Sequence, residues 1–322
     1  MILTLVEHAG GSPEESSLEA LTLARELSTA TDASLEAVAF GAESAALREE
    51  LGDYGIETVH RVADDRLDTY APEAWAESIA QLLDTTDTDA VVAPGTDRGQ
   101  EVLAHVGAKC DLPMAANCLD VEAGDVYELS RQRWGGSLVE HARLDGDPKL
   151  LTAAPHEFSP ETVTATAETA VQPFEPSLEE SAFRVTVDRV EESGETGVSL
   201  GEARVVVGGG RGVGSPEDYD KLETLAESLS GTVGASRAAV NEGWRPHDDQ
   251  IGQTGTKISP DLYVACGISG AVQHMVGCKG ADNILAINTD PEAAIMQKAD
   301  YAVVGDLHEV VPELNDALAN ER

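Results

Sequence analysis

Polar side chains follow three predicted strands between residues 260 and 307. A β-prone run, Leu262–Cys266, leads into a glycine-rich turn in which Ser269 can cap a helix whose first free amides would face an anion. Two later strands, Ile284–Asn288 and Tyr301–Gly305, end at an asparagine and at Asp306, whose side chains suit a ribose or an adenine. Because the carboxyl ends of parallel strands meet at one edge of a sheet, this stretch predicts a phosphate cradle beside a nucleoside site.

A second glycine-rich turn, Gly208–Gly214 with the sequence GGGRGVG, precedes a predicted helix. No start within it gives the dinucleotide spacing G-x-G-x-x-G, and the Gly-Lys pair of a P-loop is missing. By its glycines alone, the turn is typical of a tight connection between a strand and a helix. Arg211 favours a further role, because a guanidinium beside a helix N-terminus can pair with a pyrophosphate.

Three other polar sites each allow a structural and a functional interpretation. Ser236 and Arg237 begin a predicted helix after a short strand, and an arginine there is commonly an ion-pair partner. The segment Ile251–Thr254 is, by sequence alone, a polar turn. His274 would by default lie on an exposed or half-buried face of a helix.

The segment Gly267–Ala271 also approaches the G-x-S-x-G elbow of α/β-hydrolases, with Ser269 as nucleophile. Asp306 and His308 even follow in the order that such a triad requires. Ala271 occupies the second required glycine, however, and the two downstream residues are too close together for separate loops. The hydrolase remains an alternative that the spacing disfavours.

Longer motifs in this region resemble the α subunit of electron transfer flavoproteins. The similarity includes GISGAVQH, AINTDPEAA and ADYAVVGDL, and upstream VVVGGGRGVGSPEDYDKLETLAESLSGTVGASRAAVNEGW and QIGQTGTKISPDLY. It covers roughly residues 203–318, whereas residues 1–200 resemble the family only in general plan. Family members usually carry a basic residue directly after QTG, where this chain has Thr256 followed by Lys257.

The resemblance implies that the C-terminal domain binds FAD. It places Arg211 on the cofactor, Arg237 over the flavin ring, the Thr254 hydroxyl near N5 or O4, and His274 near O2 or N1 as an imidazolium or a neutral donor. A fixed positive charge there would favour the negative charge that develops on reduction. The residues assigned to the site in this way are Arg211, Ser236, Arg237, Ile251, Gly252, Gln253, Thr254, Ser269, Gly270, Ala271, Val272, Gln273, His274, Asn288, Asp306 and Leu307.

The resemblance also implies partners and an activity. The expected partners are an electron transfer flavoprotein β subunit, flavin dehydrogenases such as those of fatty acid β-oxidation, and a quinone oxidoreductase or similar acceptor. The chain would carry electrons singly between them, with no substrate turnover of its own. The alternatives are the hydrolase and an adenine-nucleotide-binding module without redox function.

The composition is strongly acidic, with 59 Asp and Glu against 21 Lys and Arg and a net charge of −38. Such a surface repels phosphate backbones and anionic lipids, so we expect no nucleic-acid binding and no membrane insertion. The acidic residues are spread over both halves, which indicates adaptation to a cytoplasm at molar salt. A docking face for a basic partner is the alternative.

We also expect a cytoplasmic protein with reduced, structural cysteines and no metal. The start, residues 1–16, has neither a basic region nor an apolar stretch long enough for a signal peptide. The four cysteines show no metal-ligand spacing, and no cluster of His, Cys and carboxylates does either.

The predicted fold is α/β with two domains. Residues 1–198 form a mostly parallel α/β scaffold with antiparallel additions, and residues 199–322 form a doubly wound parallel-sheet domain for FAD. The additions are Val126–His141, with Gly135-Gly136 as a turn, and Lys149–Ala153. A further strand is predicted at Phe183–Val190, and the domain boundary near Glu195–Leu200.

Overall fold

The structure is a computed structural model that describes residues 1–134, 138–163, 168–188, 199–201 and 203–321. The chain divides into two compact units, Met1–Arg133 with Val139–Val190, and Trp134–Leu138 with Glu191–Arg322. The predicted turn at Gly135-Gly136 and most of the predicted boundary at Glu195–Leu200 lie outside the described residues. The boundary between residues 198 and 199 stays a prediction.

The first unit alternates strands and helices, as predicted, and then adds further strands. The elements along residues 1–174 are β1 (Ile2–Leu5), β2 (His8–Ala9), β3 (Ser12–Pro13), α1 (Glu15–Thr31), β4 (Leu35–Phe40), α2 (Leu47–Gly52), β5 (Thr58–Val62), α3 (Pro72–Leu83), β6 (Ala90–Ala93), α4 (Asp97–Cys110), β7 (Met114–Glu122), β8 (Tyr127–Arg133), β9 (Leu138–Leu144), β10 (Lys149–Ala153) and β11 (Ala170–Phe174).

In the described part of this unit the main sheet has nine strands, in the order β11-β5-β4-β1-β6-β10-β7-β8-β9. The pairs from β11 to β7 are parallel, and β7 with β8 is antiparallel. All four residues of β1 are buried, as expected for a central strand covered on both faces. Helix α4 begins where the Thr96 hydroxyl accepts a hydrogen bond from the Gly99 amide at 2.9 Å.

Two strand predictions for this unit are wrong. Lys149–Ala153 is not an antiparallel addition but the parallel strand β10 between β6 and β7, and its last four residues are all buried, the continuous pattern of a central strand. Phe183–Val190 is not a strand in its described part: a 3-10 turn covers Glu180–Phe183, and Val185 is 54% exposed. The strand at this parallel edge of the sheet is β11. The sequence patterns predicted neither β11 nor β7.

The second unit is a doubly wound α/β fold. Its elements are β12 (Val205–Gly209), α5 (Asp220–Ser228), β13 (Thr232–Ser236), α6 (Arg237–Asn241), β14 (Gln250–Ile251), β15 (Leu262–Cys266), α7 (Val272–Gly277), β16 (Asn283–Asn288), β17 (Tyr301–Val304) and α8 (Leu307–Glu321). The sheet runs β14-β13-β12-β15-β16-β17 with every pair parallel.

Alternate residues of each central strand face two separate cores. In β15, Tyr263 packs in the core that also holds Met275, while Val264 packs in the core that holds Leu222 and Val311. Both faces of the sheet are therefore covered. The strand order reverses between β12 and β15, and in open α/β sheets this switch point is where ligands bind.

Local signals set several helix starts. The Ser215 hydroxyl accepts from the Asp218 amide at 3.3 Å, beside a 3-10 turn over Glu217–Tyr219 that leads into α5. The Ser236 hydroxyl accepts from the Ala239 amide at 3.4 Å and caps α6. The predicted cap at Ser269 is wrong, because α7 begins at Val272 with Ala271 as its N-cap. No helix in the described residues combines the length and apolar character that a membrane span needs.

Candidate functional site

An open cavity of about 580 Å³ lies at the carboxyl ends of β12, β13, β15 and β16. It therefore occupies the switch point of the second unit's sheet, and its volume falls in the range of small-molecule and cofactor sites. The lining residues come from the turns after these strands and from the segment 250–254. They are Arg211, Gly212, Ser236, Arg237, Ala238, Asn241, Gln250, Ile251, Gly252, Gln253, Thr254, Gly267, Ile268, Ser269, Ala271, Gln273, His274, Asn288, Asp290 and Ala293.

Two arginines on separate turns line this cavity. Arg211 lies in the 3-10 turn after β12, and Arg237 is the first residue of α6. Among the residues that the structure describes, neither guanidinium has a hydrogen-bond or ion-pair partner, although Arg245 of the same unit pairs with Asp249 at 2.6 Å. Unpaired guanidiniums in so acidic a chain make the cavity suited to an anion.

Close backbone packing brings the two glycine-rich turns together. The amides of Gly210 and Gly212 donate to the carbonyls of Cys266 and Gly267 at 2.8 and 3.1 Å. A Cβ at Gly212 would lie 2.8 Å from the Gly267 Cα, and Gly267 itself has a φ of +62°. Only glycine fits at these two positions, and the result is a backbone-lined edge beside Arg211.

His274 is a buried polar side chain in the wall of the cavity, 7% exposed. Its Nε2 lies 2.8 Å from the Tyr263 hydroxyl, and within the described residues its Nδ1 has no well-formed hydrogen bond. Burial lowers the pKa of the imidazole to about 4, and the Ile251 backbone, which favours the protonated ring, offsets only part of this effect. Of the two forms that the sequence left open, the neutral ring is therefore favoured at neutral pH.

The segment 250–254 is held against α7. The Gln253 amide donates to the Gln273 carbonyl at 2.8 Å, and the Thr256 amide donates to the Gln250 carbonyl at 2.7 Å. The Gln250 side chain is buried and donates through Nε2 to the Thr254 hydroxyl at 3.1 Å. Thr256, at the position where the family usually has a basic residue, is not among the cavity-lining residues.

Asn288 joins the turns after β15 and β16. Its Nδ2 donates to the Ile268 carbonyl at 2.8 Å, and its Oδ1 accepts from the Asp290 amide at 2.9 Å. Asn288 and Asp290 line the end of the cavity nearest β16. Amide and carboxylate groups there can bind a sugar hydroxyl or a purine.

The structure brings twelve of the sixteen predicted site residues to the cavity. The other four are Gly270, Val272, Asp306 and Leu307. Gly270 packs its backbone against Ile295, and Val272 is 70% exposed. Asp306 accepts from the His308 amide at 2.9 Å and caps α8, while Leu307 is buried in the core.

Eight lining residues were missed by sequence reasoning. Asn241 could have been found from the sequence, because it lies four residues after Arg237 on the same helix face. Asp290, two residues after Asn288, could have been found as part of the same polar turn. The missed residues are Gly212, Ala238, Asn241, Gln250, Gly267, Ile268, Asp290 and Ala293.

The hydrolase alternative is not favoured by the geometry. The Nδ1 of His308 lies 3.1 Å from the Lys221 Nζ and 3.7 Å from Asp218, not against Ser269. Asp306 meets the backbone of His308 rather than its ring. Within the described residues no three His, Cys, Asp or Glu side chains gather as a metal site.

A doubly wound sheet with an anion-suited cavity at its switch point defines a nucleotide-cofactor-binding protein. Comparisons with known proteins give the family. The family described as the electron transfer flavoprotein domain matches residues 2–179, and the electron transfer flavoprotein FAD-binding domain matches residues 199–279. The chain belongs to the electron transfer flavoprotein family, as an FAD-binding α subunit that functions in electron transfer.

Similar proteins match along nearly the whole chain. The electron transfer flavoprotein subunit alpha of Clostridium acetobutylicum is 34% identical over 97% of this chain and 95% of its own length. The protein of the same description from Mycobacterium leprae is 36% identical over 98% of this chain and 97% of its own length. The protein of the same description from Bacillus subtilis is 32% identical over 98% of this chain and 96% of its own length.

The residues present fit FAD. The cavity has guanidiniums for a diphosphate, a backbone edge without side chains, and amide and carboxylate groups for an adenosine. Its buried Nδ1 at His274 has no well-formed bond inside the described chain, so a ligand acceptor would satisfy it.

Proposed function

We propose that this chain is the α subunit of a heterodimeric electron transfer flavoprotein that carries electrons singly from flavin dehydrogenases, including those of fatty acid β-oxidation, to a quinone oxidoreductase or similar acceptor. It has no substrate turnover of its own. FAD, when bound, supplies the redox chemistry, and the residues of the chain bind it, orient it and set its electrostatic surroundings.

This proposal rests on one observation: the guanidiniums of Arg211 and Arg237 line one cavity, and neither has an ion-pair partner among the described residues. Arg211 would pair with the diphosphate beside the backbone-lined edge at Gly212 and Gly267. Arg237 would hold its charge near the flavin ring, where a cation favours the negative charge of reduction. An unpaired arginine has little structural use in a chain whose carboxylates outnumber its basic groups almost threefold.

The remaining site residues divide between the two ends of FAD. Thr254 and His274 would donate hydrogen bonds to the isoalloxazine edge, and Ile251 with Gly252 would lie along it. The turn 269–273 would face the diphosphate, with the first amides of α7 open to an acceptor. Asn288, Asp306 and Leu307 are proposed for the adenosine end, although the latter two do not line the cavity in this structure.

The first domain, residues 1–198, is proposed as the scaffold that meets the β subunit, and residues 199–322 as the FAD domain. The support is that the cavity with convergent polar groups lies wholly in the second unit. We further propose a cytoplasmic protein of a salt-rich cell, because acidic side chains are spread over both units.

The test is to co-express the full chain with its β subunit at high salt and to measure flavin content and FAD affinity. We expect a yellow complex with one FAD in this chain. Arg211→Ala should lower FAD affinity by roughly 10- to 100-fold, the worth of a charge-assisted hydrogen bond. Arg143→Ala, which removes an equal charge from an exposed ion pair in the first unit, is the matched control.

Two results would contradict the proposal. A colourless complex that takes up no added FAD would remove the cofactor and the electron-carrier function together. Equal losses of affinity in the Arg211 and Arg143 variants would show that general charge, not a site at Arg211, governs binding.

A further inference from the structure

Tyr263 and His274 form a buried pair behind the cavity wall. Tyr263 lies on β15 with no exposed surface, and its hydroxyl is 2.8 Å from the His274 Nε2. The two rings are 6.0 Å apart between centroids and tilted by 34°. Tyr263 is not among the cavity-lining residues, and its hydroxyl meets the cavity-lining His274.

The hydrogen-bond partners decide which atom of the pair carries each proton. Among the described residues, the Tyr263 hydroxyl has no partner other than the His274 Nε2. If Nε2–H donated to the phenol oxygen, the phenol proton would be buried without an acceptor, which is costly. If the hydroxyl donates to Nε2, every proton of Tyr263 is used. The neutral imidazole then carries its proton on Nδ1, where the Ile251 backbone stabilises it and a ligand can accept it.

The acid–base properties of both groups agree with this arrangement. Burial raises the pKa of the Tyr263 phenol well above its ordinary value, so the hydroxyl keeps its proton. Burial lowers the pKa of His274 to about 4, so the ring is neutral and has one protonated nitrogen. That nitrogen is the Nδ1 without a well-formed bond in the described chain.

We propose that Tyr263 is a positioning residue that fixes His274 in its Nδ1–H tautomer, so that the imidazole donates a hydrogen bond from Nδ1 to FAD in the cavity. The proposal rests on the proposed function, because it takes FAD as the ligand. It assigns a role to a side chain that does not touch the cofactor. A tautomer held before binding also avoids rearrangement of the ring when electrons arrive.

The first measurement needs no variant of Tyr263. Nitrogen NMR of the full chain with its β subunit, labelled at histidine and loaded with FAD, distinguishes a protonated from an unprotonated ring nitrogen. The signals of His274 are identified by their loss in His274→Gln. We expect protonated Nδ1 and unprotonated, hydrogen-bonded Nε2; a protonated Nε2 would overturn the proposal.

The second measurement compares two buried tyrosines. Tyr263→Phe removes only the hydroxyl, and Tyr219→Phe is its matched control, because Tyr219 is 1% exposed and donates to the Gly209 carbonyl at 2.9 Å on the other face of the sheet. Tyr263→Phe should give a mixture of tautomers at His274 and a more negative midpoint potential of the flavin. Tyr219→Phe should keep the wild-type spectrum and potential.

A double variant separates positioning from a general structural effect. In the His274→Gln background, Tyr263→Phe should cause no further shift of potential, since Tyr263 acts only through the imidazole. A shift of equal size in both backgrounds would overturn the proposal, as would an unchanged His274 spectrum in Tyr263→Phe. If Tyr263→Phe does not fold, the wild-type nitrogen NMR spectrum alone tests which ring nitrogen of His274 carries the proton.

Flavin content distinguishes this inference from the proposed function. A complex without FAD contradicts the proposed function, and the tautomer can still be measured in the cofactor-free chain. A complex that holds FAD but carries its His274 proton on Nε2 contradicts only the role of Tyr263.

Discussion

The side-chain Nε2 of Gln250 lies 3.1 Å from the Oγ1 of Thr254, and both residues line the cavity of the second unit. Gln250 is 3% exposed, so its carboxamide is fixed by the surrounding chain. Because the Thr254 oxygen accepts from Gln250, its own proton is directed elsewhere. The hydroxyl is thereby prepared to donate to a ligand in the cavity.

Thr254→Val should remove this donor while keeping the shape of the side chain. We expect FAD to stay bound and its midpoint potential to fall by about 20–60 mV, since one hydrogen bond contributes roughly 0.5–1.5 kcal/mol. Thr254→Ser, which keeps the hydroxyl, should stay near wild type. A redox titration that gives the valine and serine variants the same potential would contradict this role of Thr254.

The buried imidazole of His274 predicts a specific loss of stability in acid. Its pKa is about 4 in the folded chain, against 6.5 for an ordinary histidine. Between these pH values the unfolded chain binds a proton at His274 that the folded chain does not bind. The stability that the neutral ring contributes is therefore full above pH 6.5 and is lost as the pH falls towards 4. The free energy of unfolding of wild type relative to His274→Gln should fall by up to about 3 kcal/mol over this window.

Urea unfolding at matched high salt measures this difference. His141→Gln, at an exposed position in the first unit, is the control and should show no comparable change relative to wild type. If the difference between wild type and His274→Gln is the same at pH 7 and pH 4.5, the ring is not held neutral by burial.

Much of the second unit follows from local sequence. Strand Leu262–Cys266 is a continuous apolar run between an aspartate and a glycine, and the cap at Ser236 needs only its own hydroxyl and a nearby amide. Such signals act within a few residues, so they are visible without the fold. The family motifs then indicate FAD, which no single turn could do.

Other features depend on contacts between distant segments. Gln250 enters the cavity only because its segment packs against α7, and Tyr263 meets His274 across eleven positions of the chain. Asp306 could be a ligand or a helix cap by sequence, since both roles need the same carboxylate; in this structure it caps α8. The parallel pairing of Lys149–Ala153 likewise depends on which strands it meets, and its composition does not show this.

The net charge of −38 predicts that stability depends on salt. Lowering ionic strength from 1 M to 0.1 M lengthens the screening distance from about 3 Å to about 10 Å and exposes the repulsion between carboxylates. The midpoint of thermal unfolding should fall by on the order of 5 °C, which corresponds to about 3 kcal/mol for a chain of this size. Scanning calorimetry at both salt concentrations measures this.

A paired variant shows whether repulsion is the cause. Glu242 and Asp248 are exposed, and the described residues offer neither an ion-pair partner. Glu242→Gln with Asp248→Asn should therefore raise the unfolding midpoint at 0.1 M and leave it unchanged at 1 M. An equal change at both salt concentrations would count against charge repulsion and restore the docking face as the reason for the acidic surface.

Arg237 should set the potential of the flavin without being needed to hold it. Its guanidinium lines the cavity without a partner in the described chain, and a cation beside the flavin ring would be worth on the order of 1–2 kcal/mol at a partly screened site. Arg237→Ala should lower the first reduction potential by about 40–90 mV, because one electron and a tenfold equilibrium change correspond to about 59 mV. FAD should remain bound, since Arg211 and the backbone-lined edge are unchanged. Arg237→Lys should give an intermediate potential, because it keeps the charge but loses the planar fork. An alanine variant that keeps both its flavin and the wild-type potential in a redox titration would remove Arg237 from the flavin ring.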